Sequence, residues 1–310
     1  MDPFRSKYPC LLMLLFVAAM SSCAVLLNEP EIFFPEAAAL CIGAWVAPRQ
    51  PWRVTRIQMV VLMTASAVGG VAIVRWLDLP LTVQTAFGLA YTAALLTLSG
   101  STLIPLVSAC ILPIFLRTES WVYPLSVCLL TVCIAGIQLL LTRFGLRTDA
   151  TPGPVPALKT RVRHWGLTML AMFLFCLLPT WLGRVYFCAP PLLVTFAELL
   201  FPHSPLRQKP LRVWCLCTGA ACIGLGVRLL NLRLGVPAVV CAVLSALLVL
   251  ILFRSVKQML PPAAAAALLP ILLPAEGILL YVPLLAAGAA VVTAVPHIYY
   301  SRVKCTGHVS

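Results

Sequence analysis

The chain is 310 residues long, with 62% apolar and only 10% charged residues, and its mean hydropathy is +1.02. A soluble domain carries roughly a quarter of its residues charged, so the composition excludes a water-dispersed globule and leaves no space for a soluble catalytic domain. The net charge of +13 would suit nucleic acid if it covered one face, but the basic residues fall in short connectors between apolar runs, where they report orientation and touch anionic lipid.

Residues 8–27, preceded by Arg5 and Lys7, form the first apolar run. It is close to the ~20 residues that cross a hydrocarbon core and longer than a signal-peptide core, so it reads as a retained first helix. A shorter proline-marked piece, 34–48, follows and leads to Arg49, Arg53 and Arg56. Full-length runs at 56–74 and 81–98, a short piece at 101–116 and a full-length run at 121–141 complete the first half. Arg143, Arg147, Lys159, Arg161 and Arg163 surround the Pro/Gly-rich stretch 148–156, which reads as a linker. The second half repeats the order: full-length at 165–187, short at 190–202, full-length at 211–230 and 237–253, short at 261–274, full-length at 277–295.

The expected fold is an all-α, polytopic transmembrane helical bundle of two tandem repeats, each with four long helices and two short Pro-bounded helices. The first membrane repeat covers 1–142, a cytoplasmic linker 143–163, the second membrane repeat 164–298 and a cytoplasmic tail 299–310. The basic connectors put both termini on the cytoplasmic side of a plasma or inner membrane. The short pieces either cross, for about twelve passes, or re-enter, which brings the count towards eight.

Val74-Arg75-Trp76-Leu77-Asp78-Leu79 reappears as Val227-Arg228-Leu229-Leu230-Asn231-Leu232. Upstream, Pro48, Pro51 and Arg53 correspond to Pro202, Pro205 and Arg207; downstream, Pro80, Pro105, Pro113 and Glu119 correspond to Pro237, Pro262, Pro270 and Glu276. The period is about 155 residues and widens past an insertion near 233–236. Duplicated halves with paired short, proline-interrupted segments are the pattern of transporter folds.

Most of the 13 cysteines fall inside apolar runs, where a thiol acts as a small hydrophobe, and Cys215 and Cys217 lack metal-pair spacing. His164, His203, His297 and His308 stand at predicted membrane edges or in the tail. No phosphate loop, zinc-binding helix or nucleophile elbow occurs, so no catalytic residue, metal or cofactor is expected.

Glu198 is the sharpest polar anomaly, a carboxylate inside a short apolar piece. At membrane depth such a group faces a cavity, a partner or water, which makes it a candidate functional residue; if the piece lies shallow, it snorkels or pairs with Arg184 or Arg212. Arg75 and Arg228, kept in both halves, either reach the interface or act as cationic selectivity residues at a pore mouth. Ser99-Gly100-Ser101-Thr102 opens one short piece and Met259-Leu260-Pro261-Pro262 opens its counterpart. A helix that stops in mid-membrane exposes N–H groups able to hold an anion, which makes these turns a candidate solute site; small residues that simply let helices pack closely are the alternative.

Pro190-Pro191, the run Leu199-Leu200-Phe201-Pro202-His203-Ser204-Pro205-Leu206-Arg207-Gln208 and the run Met259-Leu260-Pro261-Pro262-Ala263-Ala264-Ala265 resemble the HPP family of integral membrane proteins, over about 190–297. That family is named for a His-Pro-Pro motif followed by Ala-Gly-Ala-type residues and carries an upstream Ser-Pro-Leu-Ala-Gln-Pro stretch. Here Leu260 stands at the motif's His, and Leu206-Arg207-Gln208-Lys209-Pro210 stands where the family has Leu-Ala-Gln-Pro-Arg. The resemblance implies a polytopic helical fold. Some members are associated with nitrite transport and most have no assigned solute; Ser204, Pro261 and Pro262, which stand in the matching stretches, are among the solute-binding candidates.

The leading expectation is therefore a transporter or permease for a small solute, an inorganic anion favoured, surrounded by membrane lipid and compatible with a homo-oligomer. A non-transporting membrane scaffold or assembly protein is the alternative, told apart by a solid interior. A membrane-embedded enzyme would need a second ionisable group beside Glu198.

Overall fold

The computed structural model describes residues 7–147, 154–201 and 204–306; Arg5, the linker centre 148–153, Pro202, His203 and 307–310 lie outside the described residues. The first half contains α1 (Lys7–Leu26), α2 (Glu36–Cys41), α3 (Arg56–Trp76), α4 (Leu81–Ser99), α5 (Pro105–Leu116) and α6 (Val122–Arg143). The second contains α7 (Leu158–Trp181), α8 (Pro190–Leu200), α9 (Pro210–Leu234), α10 (Ala238–Val256), α11 (Pro261–Leu268) and α12 (Tyr281–Thr306). Among the described residues there is no strand, and eight helices are long and apolar enough to cross a bilayer. The chain is an integral membrane protein, an all-α bundle with the expected order of long and short helices in each half.

Two boundaries differ from expectation. Helix α7 begins at Leu158, inside the segment read as linker, because neither Pro nor Gly interrupts 158–165 and backbone pairing runs on past the apolar stretch. Helix α12 likewise continues through Thr306, into the segment read as a tail.

Local chemistry sets the ends. Thr55 Oγ1 accepts from Gln58 N at 3.2 Å and Gln58 Oε1 accepts from Thr55 N at 3.1 Å, a reciprocal cap that starts α3. Pro105, Pro190, Pro210 and Pro261 fill first-turn positions where a missing N–H costs nothing. Gly100 and Gly235, with φ of 65° and 66°, close α4 and α9 in the left-handed region.

The short helices are buried on all sides. Twelve residues of α5 span about 18 Å, well under a hydrocarbon core of ~30 Å. The segments leading into α2, α5 and α11 are enclosed by protein, the one place where irregular backbone is tolerated at that depth: Phe34, Leu103 and Leu260 are each 0% exposed.

All four short segments run from one end of the bundle to the other. The stretch before α2 shares a cavity with Tyr123 at the start of α6, while Gly43 and Ala47 after α2 accept from the Arg147 guanidinium beyond the end of α6, at 3.0 and 3.1 Å. Helix α5 similarly runs the length of α3, from Thr102 beside Arg53 to Glu119 beside Arg75. Met259 and Pro261 lie with Trp52 at one face and Leu273 accepts from Arg228 at the other. Tyr186 and Ala189 lie with Leu116, and Phe201 with Trp52. The chain thus runs twelve times between the two ends of the bundle, six per half, so both halves start at the same end and their two-fold axis runs along the bundle.

Equivalent elements make equivalent contacts. Helix α3 packs on α5 and α6 as α9 packs on α11 and α12, and the halves interlock by α4 on α7 and α10 on α1. Gly70 of α3 lies against the Cys110 carbonyl of α5, and Gly224 of α9 against the Ala267 carbonyl of α11, each too close for a Cβ. Small residues where backbones meet are how helices gain contact without a hydrophobic drive.

Candidate functional site

The four short helices meet. Helix α2 touches α5 and α11, and α8 touches the same two, so they close a ring on the two-fold axis inside the eight long helices. A cavity of about 380 Å³ enters this ring from the face that carries Arg53, Arg56 and Arg147. Trp52, Thr102, Glu198, Phe201, Ser204 and Pro261 are on its wall. Four residues singled out from sequence, Thr102, Glu198, Ser204 and Pro261, therefore come together although they arise from three separate parts of the chain.

Glu198 sits one turn from the end of α8, with Oε1 buried and without a hydrogen-bond partner. It pairs with neither Arg184 nor Arg212, both of which are exposed. Across the cavity the Trp52 indole faces the carboxyl closely enough to act on it as a donor, and neither its Nε1–H nor Glu198 Oε1 has any other partner. Trp52 is only 4% exposed, and its ring is seated on Gly43, where any Cβ would overlap the indole. Gly43 belongs to a π turn, Ile42–Val46, that continues α2. Such turns recur at functional sites because they reset which side chains face inward.

The Ser99-Gly100-Ser101-Thr102 turn is tied to Arg53. Thr102 Oγ1 accepts from Arg53 N at 2.7 Å, Ser101 Oγ donates to Arg53 O at 3.1 Å, and Arg53 Nη2 donates to Gly100 O at 2.8 Å. Ser99 Oγ accepts from Ser101 N at 3.2 Å. These hydroxyls brace the cavity wall.

The N–H donors expected for an anion are already used. Leu103 N donates to Ser101 Oγ at 3.0 Å, Ile104 N to Thr102 O at 2.9 Å and Val107 N to Ile104 O at 2.9 Å. At α11 the first two residues, Pro261 and Pro262, have no N–H, and Ala263 N donates to Leu260 O at 2.9 Å. Proline and tight first-turn pairing consume the groups that a bare helix end would offer.

Arg75 and Arg228 lie at the far ends of α3 and α9, away from this cavity. Arg75 Nη1 reaches the Glu119 carbonyl at 3.4 Å; Arg228 reaches the Leu273 carbonyl at 3.0 Å and Asn231 Oδ1 at 2.7 Å. Both brace the loop that follows a short helix, on the opposite face.

Two further polar groups belong to the ring and were not among the sequence candidates. Trp52 stands between Pro51 and Arg53 and reads as a connector residue. Glu36, 1% exposed, opens α2 and accepts from the Ser108 hydroxyl of α5. Its signal was an acidic residue within the short piece 34–48, the same signal that marked Glu198. Set beside known proteins, the chain has no match: no family model fits it, and no curated protein or solved structure aligns with it.

Proposed function

We propose that the chain is a permease for a small solute, with the solute held between Trp52 and Glu198. The observation that carries this reading is the ring of four interrupted helices on the two-fold axis, entered from one face by a cavity that ends at a buried donor and a buried acceptor with no partner but each other. Cavities of about 220 and 280 Å³ approach from the other face, beside Tyr123 and Tyr186, and end on the packed layer of Leu112 and Leu116. This arrangement suits a carrier resting open towards its basic face, the cytoplasmic one by the positive-inside bias. A scaffold has no use for a buried indole and carboxyl held without other partners at the wall of an inner cavity.

The same pair bears on the solute. A free inorganic anion, favoured by the sequence, would find one donor, Trp52, beside a carboxylate. A small solute with both a donor and an acceptor satisfies both groups. The test is uptake into proteoliposomes from a labelled panel of nitrite, formate, urea, glycine and methylammonium. We expect saturable uptake of a panel member, reduced at least about tenfold by Glu198→Gln, since an unmatched buried polar contact costs about 1–3 kcal/mol. No uptake of any member removes the permease reading; uptake of nitrite unaffected by Glu198→Gln restores the anion and removes this site.

A further inference from the structure

Glu36 is the second carboxyl in the ring of short helices, and it is not on the wall of the Glu198 cavity. Its Oε1 accepts from the Ser108 hydroxyl, while Oε2 is buried without a partner. A carboxylate at this depth needs a compensating positive charge. The neighbouring elements supply none beside it: α6 meets α2 near its first turn, and its cation, Arg143, is in its last turn. Helix α5 brings Ser108 and the Cys110 thiol; the phenols of Tyr123 from α6 and Tyr281 from α12 lie within electrostatic reach. Both phenols already donate elsewhere, to Ala109 O and Ala266 O. Helix α11, the π turn 42–46 and α1 beyond Lys7 contain no charged residue.

A metal-sized cation needs room and a shell of oxygens, and Glu36 has a single hydroxyl partner in a close-packed layer. A proton needs neither. We propose that Glu36, held by Ser108, is a proton-binding site buried between the two faces, separate from the solute cavity, whose proton exchanges with the cavity beside Tyr123 on the opposite face. The proton adds to Oε2 to give a neutral carboxyl and leaves from Oε2 to water in that cavity, while the Ser108 hydroxyl stays on Oε1. Tyr123, within electrostatic reach of Glu36, also lines that cavity and so joins the two. The pseudo-symmetric partner of Glu36 is at the proline start of α8 and that of Glu198 is Ala44; the two carboxyls are therefore additions to a duplicated frame, placed towards opposite ends of the ring. Coupling of this proton to solute movement rests on the permease reading, whereas the proton site itself does not.

The test uses the full chain in weakly buffered lipid nanodiscs with a pH-indicator dye, counting protons released per chain on an alkaline jump. Glu36→Gln should release one proton fewer than the unmodified protein, Glu36→Asp should restore it, and exchanging choline for Na⁺ should change neither count. An equal count in Glu36→Gln, or a release that depends on Na⁺, overturns the proposal. A readout free of folding effects is labelling of the unmodified protein with dicyclohexylcarbodiimide, which attacks protonated carboxyls in apolar surroundings: mass spectrometry should find the adduct on Glu36, and no adduct there equally overturns it. Absent solute uptake with an intact proton count removes the permease and leaves this site standing.

Discussion

Tyr123, in the first turn of α6, and Tyr281, the first residue of α12, each donate a phenolic hydrogen bond to a short helix, at 3.0 Å to Ala109 O of α5 and at 2.6 Å to Ala266 O of α11. The duplication is thus kept at the level of a single bond that ties the closing long helix of each half to its short helix. Tyr123→Phe and Tyr281→Phe should each destabilise the fold by about 1–3 kcal/mol, because each leaves a buried carbonyl without its partner. Unfolding by denaturing detergent in bicelles measures this, and comparable losses are expected for the two variants.

Gly70→Val and Gly224→Val force side chains into the Cys110 and Ala267 carbonyls. Overpacking of this kind costs about 1–3 kcal/mol or more, so both variants should fold poorly. Gly136→Ala and Gly226→Ala, where nothing lies within 4 Å of an added Cβ, should fold as well as the parent. The yield of monodisperse protein after purification separates the two pairs.

The seat of Trp52 gives a prediction about function. Trp52→Phe keeps most of the ring and removes the N–H; Gly43→Ala keeps the N–H and displaces the ring. If the donor helps hold solute, both should lower uptake of the transported panel member about tenfold, the scale of one unmatched buried hydrogen bond. Uptake unchanged in both variants would assign Trp52 to packing alone.

Arg53 donates through Nη1 to Pro154 O at 2.7 Å and through Nη2 to Gly100 O at 2.8 Å, a fork that joins the turn before α5 to the segment before α7. Lysine keeps the charge but lacks the planar pair of donors. Arg53→Lys should loosen residues 99–103, and amide hydrogen exchange at Thr102 should rise about tenfold, the mark of a local opening made easier by roughly 1.4 kcal/mol.

The sequence by itself determined where helices form and where they stop. Hydropathy over some 20 residues decides whether a segment can live in hydrocarbon, and proline acts on its own turn, so α1, α3, α4 and α6 and their counterparts were legible, as were the four short pieces and the doubling shown by Arg75 and Arg228. Glu198 was legible for the same reason, as a carboxylate whose surroundings along the chain are apolar. Only the tertiary structure decided that the short pieces run the length of the bundle and meet on one axis, that Trp52 faces Glu198 from a seat on Gly43, that Glu36 lies enclosed with Ser108, and that the first-turn donors of α5 are spent on Ser101 and Thr102. Each of these joins segments far apart in sequence or counts hydrogen-bond partners after packing, and no local property of the chain encodes either.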